Sequence, residues 1–258
     1  MIALSVNLNK IGLIRNSRDT SNPSVPEHAL MCIAAGADSI TVHPRPDQRH
    51  IRASDCFELA DILNVEFNIE GNPMAGPCKS SRAGIGDYPG FMQLVREIKP
   101  TQCTLVPDSD AQLTSDHGFD LRKDGDSVAP LIAELKTLGI RVSLFMDPII
   151  EQITLAKQVG ADRIELYTGP YAEAVKRNNN IDLVFAQFCE AADHAGNIGL
   201  GINAGHDLDL SNLKKFATLP GLQEVSIGHA LTVDAISMGL APTIAAYQAC
   251  LGKLLTAV

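Results

Sequence analysis

The sequence predicts an α/β protein, a (β/α)₈ TIM barrel with additional helices, built as a single domain over residues 1–258. Three observations carry this expectation. Eight short apolar, β-branched runs alternate with helix-length amphipathic stretches from one end to the other, the pattern of βαβ units and a parallel sheet. Several helical stretches stop at a glycine just before the next strand, where a left-handed residue ends a helix without a Cβ clash. The chain has 258 residues with no linker or low-complexity tract, close to the ~250 residues over which such barrels run. An open doubly wound sheet is the alternative, but no glycine fingerprint follows the first strand and eight strands fit closure better.

Taken in order, the first strand is expected at Ala3 to Leu8, followed by a helix at Glu27 to Ala35 that Gly36 ends. Strand two is Ser39 to His43, then a helix at Asp55 to Leu63; strand three is Glu66 to Glu70, then a helix at Pro89 to Ile98. Strand four, Gln102 to Val106, leads to a helix at Val128 to Leu138 ended by Gly139. Strand five, Arg141 to Met146, leads to a helix at Ile149 to Val159 ended by Gly160. Strand six is Arg163 to Tyr167, with a helix at Ile181 to His194 ended by Gly196; strands seven and eight are Gly199 to Asn203 and Glu224 to Ile227. In each helix apolar residues recur every three or four positions. Gly36-Ala-Asp-Ser-Ile and Gly160-Ala-Asp-Arg-Ile read as two copies of one αβ turn. Two stretches fall outside the repeat and are expected as loops, Gly71 to Gly90 after strand three and Pro107 to Ser127 after strand four. Long βα loops on a barrel are usually functional or mobile.

Composition narrows the function. Lys and Arg number 21 against 30 Asp and Glu, a net charge of −9 that argues against a nucleic-acid binder held by counterion release. The charge is uneven: residues 1–52 carry Lys10, Arg15, Arg18, Arg45, Arg49 and Arg52 against Asp19, Glu27, Asp38 and Asp47. A local cationic surface on an acidic body suits a small anionic ligand, although chance clustering of surface charge reads the same. The six cysteines form no C-x-x-C pair, so neither a disulfide framework nor a structural zinc site is signalled and a reducing cytoplasm is the expected setting. No export signal or membrane span is expected either.

In a barrel the active site forms at the C-terminal ends of the strands. Here those ends read Asn7-Leu-Asn9-Lys10, His43-Pro-Arg45, Glu70-Gly71, Glu165-Leu-Tyr167-Thr168, Asn203-Ala-Gly205-His206-Asp207 and Gly228-His229. Each alone has a plain alternative. A lone histidine is more often a satisfied rim group, Glu70 and Glu165 read equally well as buried partners of an arginine, and Arg45, Arg49 and His50 as a solvated loop face. Convergence at one end of several strands favours chemistry. The glycines after strands seven and eight suit phosphate held by backbone N–H groups and a helix N-terminus, though tight turns use them too. Arg18 and Arg45 would hold a second anion with forked guanidinium donors. No metal motif such as H-E-x-x-H occurs, so acid–base chemistry without a metal or other cofactor is the simpler expectation.

Ser5-Val-Asn-Leu-Asn-Lys-Ile with Arg15-Asn-Ser-Arg18, His43-Pro-Arg45-Pro-Asp-Gln-Arg49-His50, Phe67-Asn-Ile-Glu70, Leu105-Val-Pro-Asp108, Ile164-Glu-Leu-Tyr-Thr-Gly169, Ile202-Asn-Ala-Gly-His206 and Ile227-Gly-His229-Ala together resemble the pyridoxine 5′-phosphate synthase family, in order along nearly the whole chain. The resemblance implies a condensation of 3-amino-2-oxopropyl phosphate with 1-deoxy-D-xylulose 5-phosphate to give pyridoxine 5′-phosphate, inorganic phosphate and water. It implies His43, Glu70 and His206 as acid–base residues and Glu165 as a carboxylate that stabilises a transition state. It assigns substrate contact to Asn7, Asn9, Lys10, Arg18, Arg45, His50, Thr114, Asp207, Gly228 and His229, and it implies a homo-octamer.

The chain departs from the commoner family pattern in two places. Asn9-Lys10 stands where Asp-His is usual, and Asp207 stands where glycine usually follows the last catalytic histidine. Lysine keeps a donor to an anion but lacks the acid–base range of histidine, and Asn for Asp removes a charge. Two other readings compete: another phosphate-handling barrel lyase or isomerase, for which Lys10 is the lone Schiff-base candidate at a strand end, and a non-catalytic paralogue that binds a phosphorylated metabolite. Retention of His43, Glu70 and His206 together speaks against a pure binder.

Overall fold

The computed structural model describes residues 1–18, 20–109 and 112–253; Asp19, Asp110, Ala111 and residues 254–258 lie outside the described residues. Eight parallel strands close into a barrel in sequence order: β1 (Ala3–Asn7), β2 (Ser39–Val42), β3 (Glu66–Gly71), β4 (Gln102–Leu105), β5 (Arg141–Met146), β6 (Arg163–Tyr167), β7 (Gly201–Gly205) and β8 (Leu222–Ile227). Around them run α1 (Asn9–Asn16), α2 (Val25–Ala34), α3 (Ala53–Ile62), α4 (Phe91–Ile98), α5 (Leu121–Thr137), α6 (Ile150–Gln158), α7 (Gly169–Lys176), α8 (Ile181–Asn197), α9 (Leu213–Phe216), α10 (His229–Met238) and α11 (Leu240–Cys250). Among the described residues no helix is long and apolar enough to cross a membrane.

Each strand alternates with period two, and the alternation divides the barrel's two faces. Leu4 and Val6, Ile40 and Val42, Cys103 and Leu105, Val142 and Leu144, and Ile164 and Leu166 belong to the buried apolar core that packs under the helices. Most of the intervening positions are polar, Phe145 on β5 being an exception. Ser39 and Gln102 reach Glu224 at 3.4 Å from strands that are not its neighbours, and Asn203 joins Gln102 at 3.3 Å. Ser5 and Thr41 share a 2.7 Å bond, and Thr104 donates to Asn68, whose amide reaches Glu70 Oε1 at 3.4 Å. A barrel of this kind is ordinarily filled by branched aliphatics. This one is filled by a hydrogen-bonded network that ends on the carboxylate at the mouth.

The boundaries differ from the sequence expectation in places that have local causes. Helix α5 begins at Leu121, seven residues before the expected Val128, because Gly125 interrupts the amphipathic pattern of its first turns. Its first turns therefore belong to what the sequence suggested was loop. Gly36, Gly139 and Gly160 take left-handed backbone with φ of 105°, 79° and 96° as expected, but α8 continues through Gly196 and Gly199 makes that turn instead, with φ 73°. Strand β7 consequently runs from Gly201 to Gly205 rather than from Gly199 to Asn203.

Helix α1 follows β1 at once, and its placement matters for the site. Arg15 lies buried and forks onto Asp55 at the start of α3, with contacts of 2.5 and 2.9 Å, while also donating to the His50 carbonyl at 2.9 Å. A bidentate Arg–carboxylate pair fixes orientation as well as charge. Gly12 lets the helix lie against the same loop, since a Cβ there would meet the His50 carbonyl oxygen at 2.6 Å. The 72–90 segment braces this loop from the other side: Gln48 donates to the Gly86 carbonyl at 2.8 Å, and Cys78 and Tyr88 form an antiparallel bridge that closes the segment on itself.

Candidate active site

A cavity of about 310 Å³ opens at the C-terminal ends of the strands. It is lined by Asn7, Asn9, Lys10, His43, Arg45, His50, Glu70, Thr114, Glu165, His206, Asp207, Gly228 and His229, together with Phe145, Ser226, Leu113 and a few neighbours. Every residue expected from the sequence is therefore gathered here except Arg18. That side chain is exposed beyond the end of α1 and does not line the cavity.

The first strand organises the second. Asn7 Oδ1 accepts from the Asn9 N–H at 3.0 Å, Asn9 Oδ1 accepts from the His43 N–H at 2.9 Å, and Asn7 Nδ2 reaches Glu70 Oε2 at 3.5 Å. The two asparagines thus hold the backbone of one candidate catalytic group and the side chain of another. His43 is buried between two carboxylates, with Nδ1 3.7 Å from Glu70 Oε2 and Nε2 3.2 Å from Asp108 Oδ2. Burial opposes protonation of His43, but the hydrogen bonds and charges of Asp108 and Glu70 outweigh it and raise its pKa above the ordinary imidazole value. Burial pushes Asp108 the other way from its partners, yet the His43 hydrogen bond and the charges of His43 and Arg45 bring it down to about 2.

Glu165 enters from β6. Burial first, then the nearby Glu70 and Glu224 carboxylates, pushes its pKa well above the usual carboxyl range and favours its protonated form. Its room is provided by Gly205, where a Cβ would stand 2.2 Å from Glu165 Oε1. Burial, then the positive charges of His43, Arg45, Arg49 and Lys10, holds His50 well below the ordinary imidazole value. A 2.9 Å bond from the Ile51 N–H to His50 Nδ1 leaves Nε2 as its donor.

On the far wall, His206 and Asp207 both have left-handed backbone, with φ of 84° and 57°. Such residues persist only where the surroundings hold them. Thr168 donates to the carbonyls of Gly205 and His206, and Asn212 donates to that of Asp207 at 3.0 Å. His206 Nε2 meets the Thr114 hydroxyl at 2.8 Å, which ties the loop after β4 across the mouth. Its Nδ1 lies 3.0 Å from Asp207 Oδ2, off the axis of a straight hydrogen bond. Next to it α10 starts at His229, and Gly228 packs its Cα against Asn7, where a Cβ would come within 3.1 Å. The free N–H groups and positive end of α10 face the cavity, an arrangement suited to phosphate.

Asp108, which meets both His43 and Arg45, is the residue that strand-end reading passed over. It stands just beyond β4, the rim position that corresponds to Arg45 after β2, and that position was its available signal. Phe145 and Ser226, inward-facing on β5 and β8, were likewise not anticipated. Among the described residues no group of three His, Cys, Asp or Glu is arranged to hold a metal ion.

Known proteins match nearly the whole chain. The model of the family described as pyridoxal phosphate biosynthesis protein PdxJ matches residues 4–253. A pyridoxine 5′-phosphate synthase of Xanthomonas campestris pv. campestris (strain B100) is 56% identical over 250 residues, covering 95% of this chain and 94% of that one. The enzyme of the same name from Xylella fastidiosa (strain M23) is 50% identical over 259 residues, covering 99% and 96%. Among solved structures, 3-hexulose-6-phosphate synthase from Salmonella typhimurium superposes with a TM-score of 0.59 at 16% identity, over 97% of this chain and 98% of that one, a likeness of fold alone.

Proposed function

Because the chain belongs to the PdxJ family of pyridoxine 5′-phosphate synthases, we propose a division of labour among its cavity residues for the reaction of that family. The enzyme condenses 3-amino-2-oxopropyl phosphate with 1-deoxy-D-xylulose 5-phosphate, forming pyridoxine 5′-phosphate and releasing inorganic phosphate and water. The observation that carries the assignment of roles is the meeting of His43, Glu70, Glu165 and His206 around one cavity, between two sets of anion-binding groups.

The amine of one substrate attacks the ketone of the other, so a nitrogen must lose a proton as the carbonyl oxygen gains one. The carbinolamine then loses water, carbon-bound protons are removed, phosphate leaves and the ring closes. No single acid or base serves every step, and positioned groups contribute ~10²–10⁴-fold each. Glu70 and His43 accept protons at successive stages, and His206 donates to departing oxygen. Glu165, favoured in its neutral form by burial, donates a hydrogen bond to oxygen as negative charge develops there.

Lys10, Arg45, His50 and Thr114 hold the deoxyxylulose phosphate, and Gly228, His229, Asp207 and Asn7 hold the amino ketone phosphate, with Asn9 fixing the His43 backbone. No substrate contact is proposed for Arg18 within a single chain. Self-association as a homo-octamer is supported by apolar side chains left exposed on α1, α2 and α10, including Ile14, Met31 and Ile236, the last 77% exposed. A cytoplasmic enzyme with no nucleic-acid partner fits the six free cysteines and the net charge of −9.

Supplying both phosphorylated substrates and following product absorbance with released phosphate tests the reading. Equal amounts of pyridoxine 5′-phosphate and phosphate are expected. Binding of both substrates with neither product formed would contradict it and favour a binding protein.

A further inference from the structure

The carboxylate of Asp108 is buried yet does not line the cavity, so it sits behind the wall rather than against substrate. Its Oδ2 meets two cavity side chains at once, His43 Nε2 at 3.2 Å and Arg45 NH2 at 2.5 Å. Asn72, just past β3, donates to the Asp108 carbonyl at 2.6 Å and pins the backbone beneath it. A buried carboxylate without partners would take up a proton. This one is fixed against an imidazole and a guanidinium, which is how a structure keeps a charge in a chosen place.

The two nitrogens of His43 therefore have unequal surroundings. Nε2 faces Asp108, whereas Nδ1 faces Glu70, which lines the cavity. When one ring N–H is committed to a fixed carboxylate, the other nitrogen becomes the one that exchanges protons. We propose that Asp108 is a positioning residue for the condensation: it holds the Nε2–H of His43, so that Nδ1 takes the substrate proton, and it steadies the Arg45 fork beside it. In the step, a substrate N–H or C–H bond breaks, its electron pair stays on the substrate, and the proton forms Nδ1–H. Nδ1 then gives that proton up to solvent before the next turnover, while His206 protonates the departing oxygen, and Asp108 stays ionised throughout. This role rests on the reading of His43 as a proton acceptor.

Asp108 after β4 and Glu70 on β3 act on the His43 ring, the His50 ring stands edge-on at 6.4 Å, and Arg45, Arg49 and Lys10 act on His50 behind it. Removing the Asp108 charge withdraws one of the two carboxylates that favour the imidazolium, and the titration of His43 must move to lower pH.

Histidine ¹⁵N NMR on the intact enzyme tests this without relying on turnover. Neutral His43 is expected to carry its proton on Nε2, with Nδ1 titrating. In Asp108→Asn the titration moves to lower pH and kcat falls on the order of 10²-fold, the lower end of what a positioned acid–base group contributes. The limb of the kcat pH profile set by His43 moves with it, which a merely structural loss would leave in place. KM for the deoxyxylulose phosphate changes by less than about tenfold, because the Ser109 and Gln112 carbonyls also hold Arg45. Asp108→Glu restores the charge and returns the limb. A neutral His43 protonated on Nδ1 in the parent enzyme overturns the proposal, as does an Asp108→Asn enzyme with kcat within about threefold and an unmoved limb. If Asp108→Asn fails to fold, the parent spectrum and Asp108→Glu decide. Parental turnover by His43→Gln would instead remove the reading beneath the proposal, while the NMR would still report the tautomer.

Discussion

Gly205, the last residue of β7, forms the floor on which Glu165 rests, and replacing it with alanine tests how closely that carboxyl must be placed. The added Cβ would lie 2.2 Å from Glu165 Oε1 and 3.3 Å from the Ser226 carbonyl oxygen. Non-bonded heavy atoms settle near 3.5 Å, so Gly205→Ala drives the carboxyl away by roughly 1 Å. Glu165 is buried and cannot swing into solvent, so the strain remains inside the barrel and costs about 1–3 kcal/mol of stability. Misplacing a reacting group by about 1 Å lowers the rate about 10²-fold. That is about 2.7 kcal/mol of lost transition-state stabilisation. Steady-state kinetics with coupled phosphate detection should show that drop in kcat, with KM for the deoxyxylulose phosphate within about threefold because Lys10, Arg45, His50 and Thr114 sit on other elements. Gly196→Ala in α8, where a Cβ meets nothing within 4 Å, is the control: it should leave the rate unchanged and add about 0.5–1 kcal/mol of stability in urea unfolding. A Gly205→Ala enzyme with a lowered unfolding midpoint but parental kcat would refute the reasoning, since Glu165 would have moved without the chemistry responding.

Three further outcomes follow from the same coordinates. Arg15→Ala leaves Asp55 buried without its bidentate partner and should cost about 3–5 kcal/mol in chemical denaturation; a loss below about 1 kcal/mol would show the pair to be ordinary surface charge. Gly12→Ala pushes α1 off the His50 loop and should raise KM for the deoxyxylulose phosphate more than it lowers kcat, and equal effects on both would contradict Lys10 and His50 as ground-state contacts. Glu165 has a folded pKa raised above its ordinary 4.5, so the folded state binds that proton more tightly. Its stabilising contribution is present below about pH 4.5 and is lost as pH rises toward the folded pKa. Glu165→Gln should therefore gain stability relative to the parent as pH rises from 5 to 8, measured by thermal unfolding, and a pH-independent difference would contradict a buried neutral carboxyl.

Strands were legible because both faces of each one leave a mark: apolar residues toward the helices, polar residues toward the interior. The site followed, since placing the strands placed His43, Glu70, Glu165 and His206 at one end. What stayed hidden depends on contacts rather than pattern. Gly125 weakens the helical signal at the start of α5 although tertiary packing carries the helix past it. Arg18 shares a motif with the strand-end residues, but it falls past the end of α1, where its side chain stands exposed. Asp108 reads as one more loop carboxylate until the His43 and Arg45 rotamers bring both donors onto a single oxygen. The left-handed backbone at His206 and Asp207 has no glycine to announce it and is held by Thr168 and Asn212 from neighbouring turns. The net charge of −9, which on its face opposes anionic substrates, is compatible with them because the cations Lys10 and Arg45 line the cavity itself.

In the proposed division of labour, one cavity at the mouth of the barrel performs the whole condensation by proton transfers among its own side chains. Glu70→Gln tests it most directly, because it keeps the shape of the side chain and removes only its capacity to accept a proton. With both substrates supplied, the parent enzyme should release one phosphate for each pyridoxine 5′-phosphate formed, while Glu70→Gln should bind both substrates, measured by calorimetry, and form no product. Turnover by Glu70→Gln near the parental rate would contradict the account.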